Sequence, residues 1–191
     1  SQEAAALVTK GDDAAALEKW NTVARIKPLQ WNTYYERAVL KLRLGHRSSE
    51  ALDDFGRTRR LERQSGNICL HEFDYWMRFD PVRGVPALRE ALRRNPMRAA
   101  EFYSGCIYRT TAHPELRPHF RALAADDPKL RLAYLGSTTG EEFKAELQSL
   151  LEAHPELEVY TTRERLQLFQ LWHDRGDAAG LLKALESNAS W

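Results

Sequence analysis

Apolar side chains recur at helical spacing through the stretch 31–63, WNTYYERAVLKLRLGHRSSEALDDFGRTRRLER, in two runs separated by Gly45. Positions three and four apart lie on one face of an α-helix, so each run predicts an amphipathic helix. Gly45 suits the left-handed residue that ends the first helix, and Ser48 or Ser49 can cap the second. The apolar positions are Trp31, Tyr34, Tyr35, Ala38, Val39 and Leu42 in the first helix, and Ala51, Leu52, Phe55, Thr58 and Leu61 in the second.

The same succession of helix, turn and helix continues on both sides of this central pair. The further predicted helices cover 3–9, 14–27, 67–79, 85–96, 98–110, 118–125, 130–135, 141–155, 161–175 and 178–187. We predict a turn over 80–84, with Pro86 in the first turn of the helix that follows, and a cap at Thr138 or Thr139. No segment alternates apolar and polar residues over several positions, so the fold class is all-α.

Prolines mark the ends of the second helices and reveal a repeat. Pro28, Arg63 in the equivalent place, Pro96, Pro128 and Pro155 are separated by 35, 33, 32 and 27 residues. A helix pair of this size cannot bury its apolar faces alone and becomes stable by stacking on its neighbours. The spacing therefore predicts a repeat period near 34 residues that shortens toward the C-terminal end.

These residues resemble the tetratricopeptide repeat (TPR) family, whose 34-residue unit is a helix–turn–helix. The matching positions are Gly11, Asp12, Ala16, Trp20 and Pro28 in the first unit, Ala38, Ala51 and Phe55 in the second, Ala91 and Pro96 in the third, Gly105 in the fourth, and Gly176 and Asp177 in the last. We expect Gly105 to allow another backbone to approach closely. Arg63 in place of a proline, extra prolines over 112–118 and a short fifth unit depart from the family pattern.

The resemblance implies a right-handed α-solenoid of about five to six helix pairs. It implies one domain over 1–191, with a degenerate region around 111–140. Residues 130–177 are also similar to the soluble repeat region of bacterial O-antigen ligase or polymerase-type membrane proteins, whose chemistry would lie in membrane segments outside this chain. The first residue is Ser1 and no apolar run approaches the roughly 20 residues that span a bilayer, so we expect a soluble segment of a longer protein.

Charge changes the picture only in the middle of the chain. Residues 25–131 carry 21 lysines and arginines against 13 aspartates and glutamates, a net charge of +8, whereas 1–24 carry −2 and 132–191 carry −5. A basic middle favours an acidic peptide, a phosphorylated group or nucleic acid, or is a solvated arginine-rich helix face. Cys69 and Cys106 have no metal or disulfide spacing and are expected to be buried free thiols.

The candidate chemistry of the chain is sparse. The histidines are His46, His71, His113, His119, His154 and His173. None of them forms a spaced ligand set, although His71 lies in an aromatic helix and His173 lies beside Asp174. There is no glycine-rich phosphate loop, nucleophile elbow or HExxH sequence. We therefore expect no enzyme activity, no metal and no cofactor.

Aromatic residues beside arginines are the stronger indication of function. In stacked helical repeats the first helix of each pair lines the concave surface, and large rigid side chains favour binding. We predict a groove for a protein or peptide partner, formed by Asn32, Tyr35, Val39, Arg43, Phe73, Trp76, Met77, Phe102 and Arg109. The function expected is thus a non-catalytic binding scaffold.

Two alternatives to this function stay open. One is a helical repeat that binds single-stranded RNA through its basic middle, which is less favoured because Arg57, Arg59, Arg60 and Arg63 lie on a second helix. The other is an accessory domain that tethers or spaces a membrane enzyme of the O-antigen type. The sequence gives no indication of the oligomeric state.

Overall fold

Twelve α-helices, with short 3₁₀ turns between some of them, make up the part of the chain that the computed structural model describes, residues 2–45 and 48–187. No strand occurs within these ranges, and most helices pack on their neighbours in sequence. The all-α prediction is therefore confirmed. The chain divides into two compact units, Ser1–Asn95 and Pro96–Trp191. His46 and the last few residues lie outside the described ranges.

The first unit contains three consecutive helix pairs, as the repeat spacing predicts. Its helices are α1 (Gln2–Thr9), α2 (Asp13–Ile26), α3 (Trp31–Arg43), α4 (Ser48–Leu61), α5 (Gly66–Trp76) and α6 (Pro81–Arg94). Local signals set several of these bounds. Asp12 accepts a hydrogen bond from the backbone N–H of Ala15 at 3.0 Å, which caps α2, and Gly45 has a φ of +78° after α3.

The core of the first unit lies along the inner faces of α3, α4 and α5. Ala38, Val39 and Leu42 of α3 pack with Ala51 and Phe55 of α4 and with Trp76 of α5. The Phe55 ring lies 6.1 Å from the Trp76 ring, centroid to centroid. Aromatic side chains of this size bury a large apolar area, so this cluster holds the second and third pairs together.

The turn predicted over 80–84 is wrong, because α6 already begins at Pro81. A proline is favoured at the first helical position, where its missing N–H would be unpaired in any case. Gly84 consequently lies inside α6, where its Cα faces the Phe73 and Trp76 side chains of α5. Pro86 is not in the first turn but lies farther into the helix, on its exposed side.

The second unit is less regular. It consists of α7 (Ala99–Ile107), α8 (Arg117–Ala124), α9 (Pro128–Gly136), α10 (Gly140–Ala153), α11 (Thr162–Asp174) and α12 (Ala178–Ser187). Helix α9 is central, since it packs on α7, α8, α10 and α11. Tyr103 of α7 donates a hydrogen bond to the backbone carbonyl of Phe120 at 2.8 Å, which joins α7 to α8.

Several local predictions in the second unit are confirmed and others are corrected. The helix predicted over 161–175 is confirmed as α11, and Thr161 and Glu164 form a reciprocal capping box at its start. The helix predicted over 98–110 is shorter than predicted, because Pro96–Arg98 and Tyr108–Thr111 are 3₁₀ turns on either side of α7. Gly105 is exposed and has no heavy atom within 4 Å of a Cβ position, so the close approach predicted there is wrong.

The cap of α10 is the last of these corrections. Thr139 occupies the position before the helix but its side chain makes no capping hydrogen bond. The Thr138 hydroxyl instead donates to the carbonyl of Leu135 at 2.7 Å, so it stabilises the turn that precedes α10.

Within the described residues, no helix has both the length and the apolar character needed to cross a membrane.

Candidate binding groove

Five of the predicted groove residues are buried. The Phe73 and Trp76 side chains have no solvent exposure, and Val39 is 5% exposed. Met77 and, in the second unit, Phe102 are also buried. These five side chains are core residues of their units and offer no surface to a partner in this structure. The apolar spacing on which their prediction rests marks the buried, packed face of each helix and not a binding surface.

Asn32 and Tyr35 lie in a surface cavity of about 620 Å³ in the first unit. The cavity opens between α3 and α5, which are the first helices of the second and third pairs. It is lined by Trp31, Asn32, Tyr35, Glu36, Glu62, Gln64, Ser65, Asn67, Ile68 and His71. A cleft of this volume is within the range of sites that hold small molecules or short peptide segments.

A second cavity of about 260 Å³ continues from the first along α5. It shares Tyr35 and His71 with the larger cavity and adds Asp74, Tyr75 and Arg78. Because the two cavities share these lining residues, they form one continuous surface depression, which we call the α3–α5 groove. The groove is defined by the residues that line either cavity.

Helical spacing explains why these side chains come together. Trp31, Asn32, Tyr35 and Glu36 fall on one face of α3, and Ile68, His71, Asp74, Tyr75 and Arg78 fall on one face of α5. Residues three or four apart on a helix are surface neighbours. The same helical spacing, applied to the more exposed stripe of α5, indicates His71 and Tyr75.

Tyr35 lies at the centre of the groove and is held in place by aromatic contacts. Its ring lies 5.8 Å from the Phe55 ring at an interplanar angle of 70° and 6.3 Å from the Tyr75 ring at 75°. Both are edge-to-face arrangements, which favour aromatic pairs beyond their buried area. Burial, followed by the nearby Tyr75 and Glu36 side chains, raises the pKa of the Tyr35 hydroxyl. The groove therefore has a partly buried aromatic centre.

The polar groups of the groove differ in whether they already form hydrogen bonds within the protein. Glu62 accepts hydrogen bonds from the backbone N–H groups of Gln64 and Ser65 at 3.0 and 3.2 Å. The buried Oδ1 atom of Asn32 has no hydrogen-bond partner among the described residues. Burial raises the pKa of Glu36, whose side chain stays partly exposed in the groove. Asn32 and Glu36 are thus two of the polar groups that can bind a ligand.

The two arginines predicted for the groove lie elsewhere. The Arg43 guanidinium forms an ion pair with Asp13 at 3.0 Å, joining α3 to α2, and Arg43 lines neither cavity. Arg109 belongs to the second unit, where its guanidinium lies 5.7 Å from the centre of the Tyr108 ring. Of the nine residues predicted for the groove, Asn32 and Tyr35 line the α3–α5 groove.

Many arginines of the basic middle are engaged within their own unit. Arg59 pairs with the buried carboxylate of Glu72, whose pKa is raised by burial. The Arg57 guanidinium lies 4.4 Å from the centre of the Tyr34 ring, a cation–π contact. Both arginines belong to α4, and both are used to attach that helix to its neighbours.

Neither the histidines nor the cysteines form a reactive cluster in the described ranges. No group of three or more His, Cys, Asp or Glu side chains there could hold a metal ion. Cys69 and Cys106 are buried free thiols, as their sequence context predicts. His71 lies on the α3–α5 groove, and His173 contacts Asp174 at 3.3 Å on an exposed surface.

Comparison with known proteins adds no family to this description. No protein-family model matches the chain, and no curated protein is significantly similar to it.

Proposed function

We propose that the chain is a non-catalytic scaffold that binds a protein or peptide segment in the α3–α5 groove. The observation that carries the proposal is the groove itself, a depression formed by two consecutive first helices and centred on the partly exposed ring of Tyr35. We further propose that the helix pairs are TPR-like repeats of a right-handed α-solenoid. The sequential packing of the pairs in the first unit and the period near 34 residues support this finer assignment.

The dimensions of the groove suit a short extended peptide. Its lining along α5 runs from Ile68 to Arg78, which at 1.5 Å per residue is about 15 Å. An extended chain advances about 3.3 Å per residue, so the groove accommodates roughly four or five residues. A segment of this length leaves its backbone N–H and C=O groups in need of partners.

The lining supplies both kinds of contact that such a segment needs. Asn32, Gln64 and Asn67 carry side-chain amides, which can donate to and accept from a peptide backbone. Trp31, Tyr35 and Tyr75 present aromatic surface, and aromatic residues dominate the binding energy of many interfaces. The combination favours a peptide over a small polar metabolite.

The nucleic-acid alternative is less well supported by the same surface. RNA binding without sequence preference combines stacking aromatic residues with a positively charged groove. The α3–α5 groove has the aromatic residues, but its acidic lining residues Glu36, Glu62 and Asp74 would repel phosphates. The engagement of Arg57 and Arg59 within the first unit weakens the case for a phosphate contact on α4.

Selection from a random twelve-residue peptide display library tests the proposal. We expect peptides to enrich on the intact chain and to bind an Asn32→Ala variant about tenfold more weakly, the effect of losing about 1.4 kcal/mol of binding free energy. Asn21→Ala, the same change on α2, is the matched control and should bind as the parent does. Circular dichroism melting should show that both variants are folded.

Two outcomes would contradict the proposal. One is a selection in which no peptide enriches over a blank surface. The other is a set of peptides whose affinity is the same for the parent chain and for Asn32→Ala and His71→Ala variants, which would place binding outside the α3–α5 groove.

A further inference from the structure

The charges that line the α3–α5 groove are opposite in sign to those of the surrounding sequence. The stretch 25–131 carries a net charge of +8, yet Glu36, Glu62 and Asp74 of the groove are acidic and Arg78 is its basic lining residue. The larger cavity has acidic lining residues and no lysine or arginine among them. A concave surface lined by one sign of charge concentrates ligands of the opposite sign.

Glu36 is the acidic residue best placed to bind a cation. It is partly buried on the groove face of α3, one turn along the helix from Asn32. The neighbouring Arg37 does not neutralise it, because the Arg37 guanidinium is paired with Asp54 of α4 at 3.4 Å. The Glu62 carboxylate, by contrast, already accepts two backbone hydrogen bonds. Burial raises the pKa of Glu36, because partial removal from water disfavours the charged form of a carboxylate.

We propose that the α3–α5 groove selects peptide segments in which a lysine or arginine stands next to an aromatic or aliphatic residue. The cationic side chain pairs with Glu36, and the apolar side chain packs against Trp31, Tyr35 and Ile68. The inference rests on the proposed function of the groove and specifies the chemistry of its partner. A partly desolvated ion pair beside an apolar contact is the arrangement in which charge gives specificity as well as affinity.

The sequences of peptides selected on the intact chain give the first test. We expect enrichment of lysine or arginine beside tryptophan, phenylalanine or leucine, together with depletion of aspartate and glutamate. The best enriched peptide is then synthesised with a fluorescent label, alongside a version in which each basic residue is replaced by glutamine. Fluorescence anisotropy should show weaker binding of the glutamine version to the parent chain.

Variants of Glu36 give the second test. Glu36→Gln should weaken binding of the basic peptide about fivefold and leave the affinity for its glutamine version unchanged, since a partly exposed ion pair contributes about 1 kcal/mol. Glu18→Gln, the same change on the exposed face of α2, is the control and should bind as the parent does. Glu36→Lys should reverse the preference, so that a peptide carrying glutamate in place of lysine binds better than the basic peptide.

The outcomes separate this inference from the proposed function. Selected peptides without basic residues, or equal affinities of the parent chain and Glu36→Gln for the basic peptide, would overturn the inference. If Asn32→Ala still weakens binding in that case, the groove remains a peptide site with a different preference. If no peptide enriches on the intact chain, both proposals fail.

Discussion

At the scale of single residues, Arg94 joins α6 to the end of α4 in the first unit. Its side chain is 4% exposed and reaches from α6 to the C-terminal end of α4. The guanidinium donates to the backbone carbonyls of Arg59 at 2.8 Å, Glu62 at 2.6 Å and Ser65 at 3.2 Å. The last carbonyls of a helix have no partner within it, so the arginine satisfies groups that would otherwise be unpaired.

Replacing Arg94 should therefore destabilise the first unit. We expect Arg94→Ala to lower the free energy of unfolding by about 2–3 kcal/mol, because hydrogen bonds from a charged donor are lost and the carbonyls of α4 are left unsatisfied. Arg93→Ala is the matched control. That side chain is 70% exposed and pairs with Glu90, so its loss should cost less than about 0.5 kcal/mol. Urea unfolding followed by circular dichroism measures both values, and equal losses would contradict the role assigned to Arg94.

Glu90 makes the stability of the same region depend on pH. Hydrogen bonds from Arg93 and Arg94 lower the pKa of Glu90 from 4.5 to about 2 in the folded chain. A lowered folded-state pKa stabilises the protein fully above the unfolded-state value, and this stabilisation is lost as the pH falls toward about 2. Glu90→Gln should thus be less stable than the parent at pH 7, with a difference that shrinks below pH 4.5.

The measurement is the urea midpoint of the parent and of Glu90→Gln at several pH values between neutrality and the lowest pH at which both remain folded. Glu18→Gln, on the exposed face of α2, serves as the control for removing a carboxylate. A difference between parent and Glu90→Gln that stays constant over this range would show that the ion pair does not contribute.

At the scale of elements, the contact between α5 and α6 depends on a glycine. A Cβ atom added at Gly84 would lie 2.9 Å from Cδ2 of Phe73 and 3.1 Å from Cβ of Trp76. Both neighbours are fully buried, so neither can move aside easily. The absence of a side chain at Gly84 lets the two helices approach closely over the aromatic core.

Gly84→Ala should consequently destabilise the first unit by about 1–3 kcal/mol, despite the better helix propensity of alanine, because overpacking of a dense core outweighs it. Gly56→Ala, inside α4, is the control in the same unit. Its added Cβ meets nothing closer than the Arg60 side chain at 3.6 Å, so the change should stabilise by about 0.5–1 kcal/mol. Opposite signs in urea unfolding are the expected result, and a stabilising Gly84→Ala would mean that the helices are not in close contact.

Elements were predictable from the sequence where the signal is local. Gly45 ends α3 as the sequence predicts, and Asp12 and Thr161 cap helices that the sequence predicts to begin beside them. The failure over 80–84 has a tertiary cause. The local pattern predicts Gly84 as a turn residue, whereas its small size serves the packing of α6 on α5, which no local pattern reveals.

The groove was predictable only in part, for a related reason. An aromatic residue on a first helix can face the core or the surface, and periodicity alone does not separate the two. Phe73 and Trp76 face the core, whereas Tyr35 and Tyr75 are partly exposed. The pairing of Arg37 with Asp54 and of Arg59 with Glu72 depends on which helices are neighbours in space. The acidic groove within a basic stretch therefore emerges only with the fold.

At the scale of the whole molecule, the first unit contains what a repeat array needs to fold. Its three helix pairs bury core clusters that include one around Trp20 and Leu40 and one around Phe55 and Trp76. Stacked repeats are stabilised by contacts with adjacent repeats, and about three of them are needed for independent stability. The sequence predicts one domain over 1–191, so the behaviour of the isolated first unit is a sharp test of that prediction.

We expect a fragment of residues 1–95 to fold on its own. Its circular dichroism spectrum should be helical and its unfolding in urea cooperative, since the contacts of Arg94 and the packing at Gly84 all lie within it. Arg94→Ala supplies the control, because it should lower the stability of the fragment by the same amount as it lowers that of the first unit in the full chain. A fragment that is unfolded, or that unfolds without cooperativity, would show that the first unit depends on the rest of the chain and would favour the single domain.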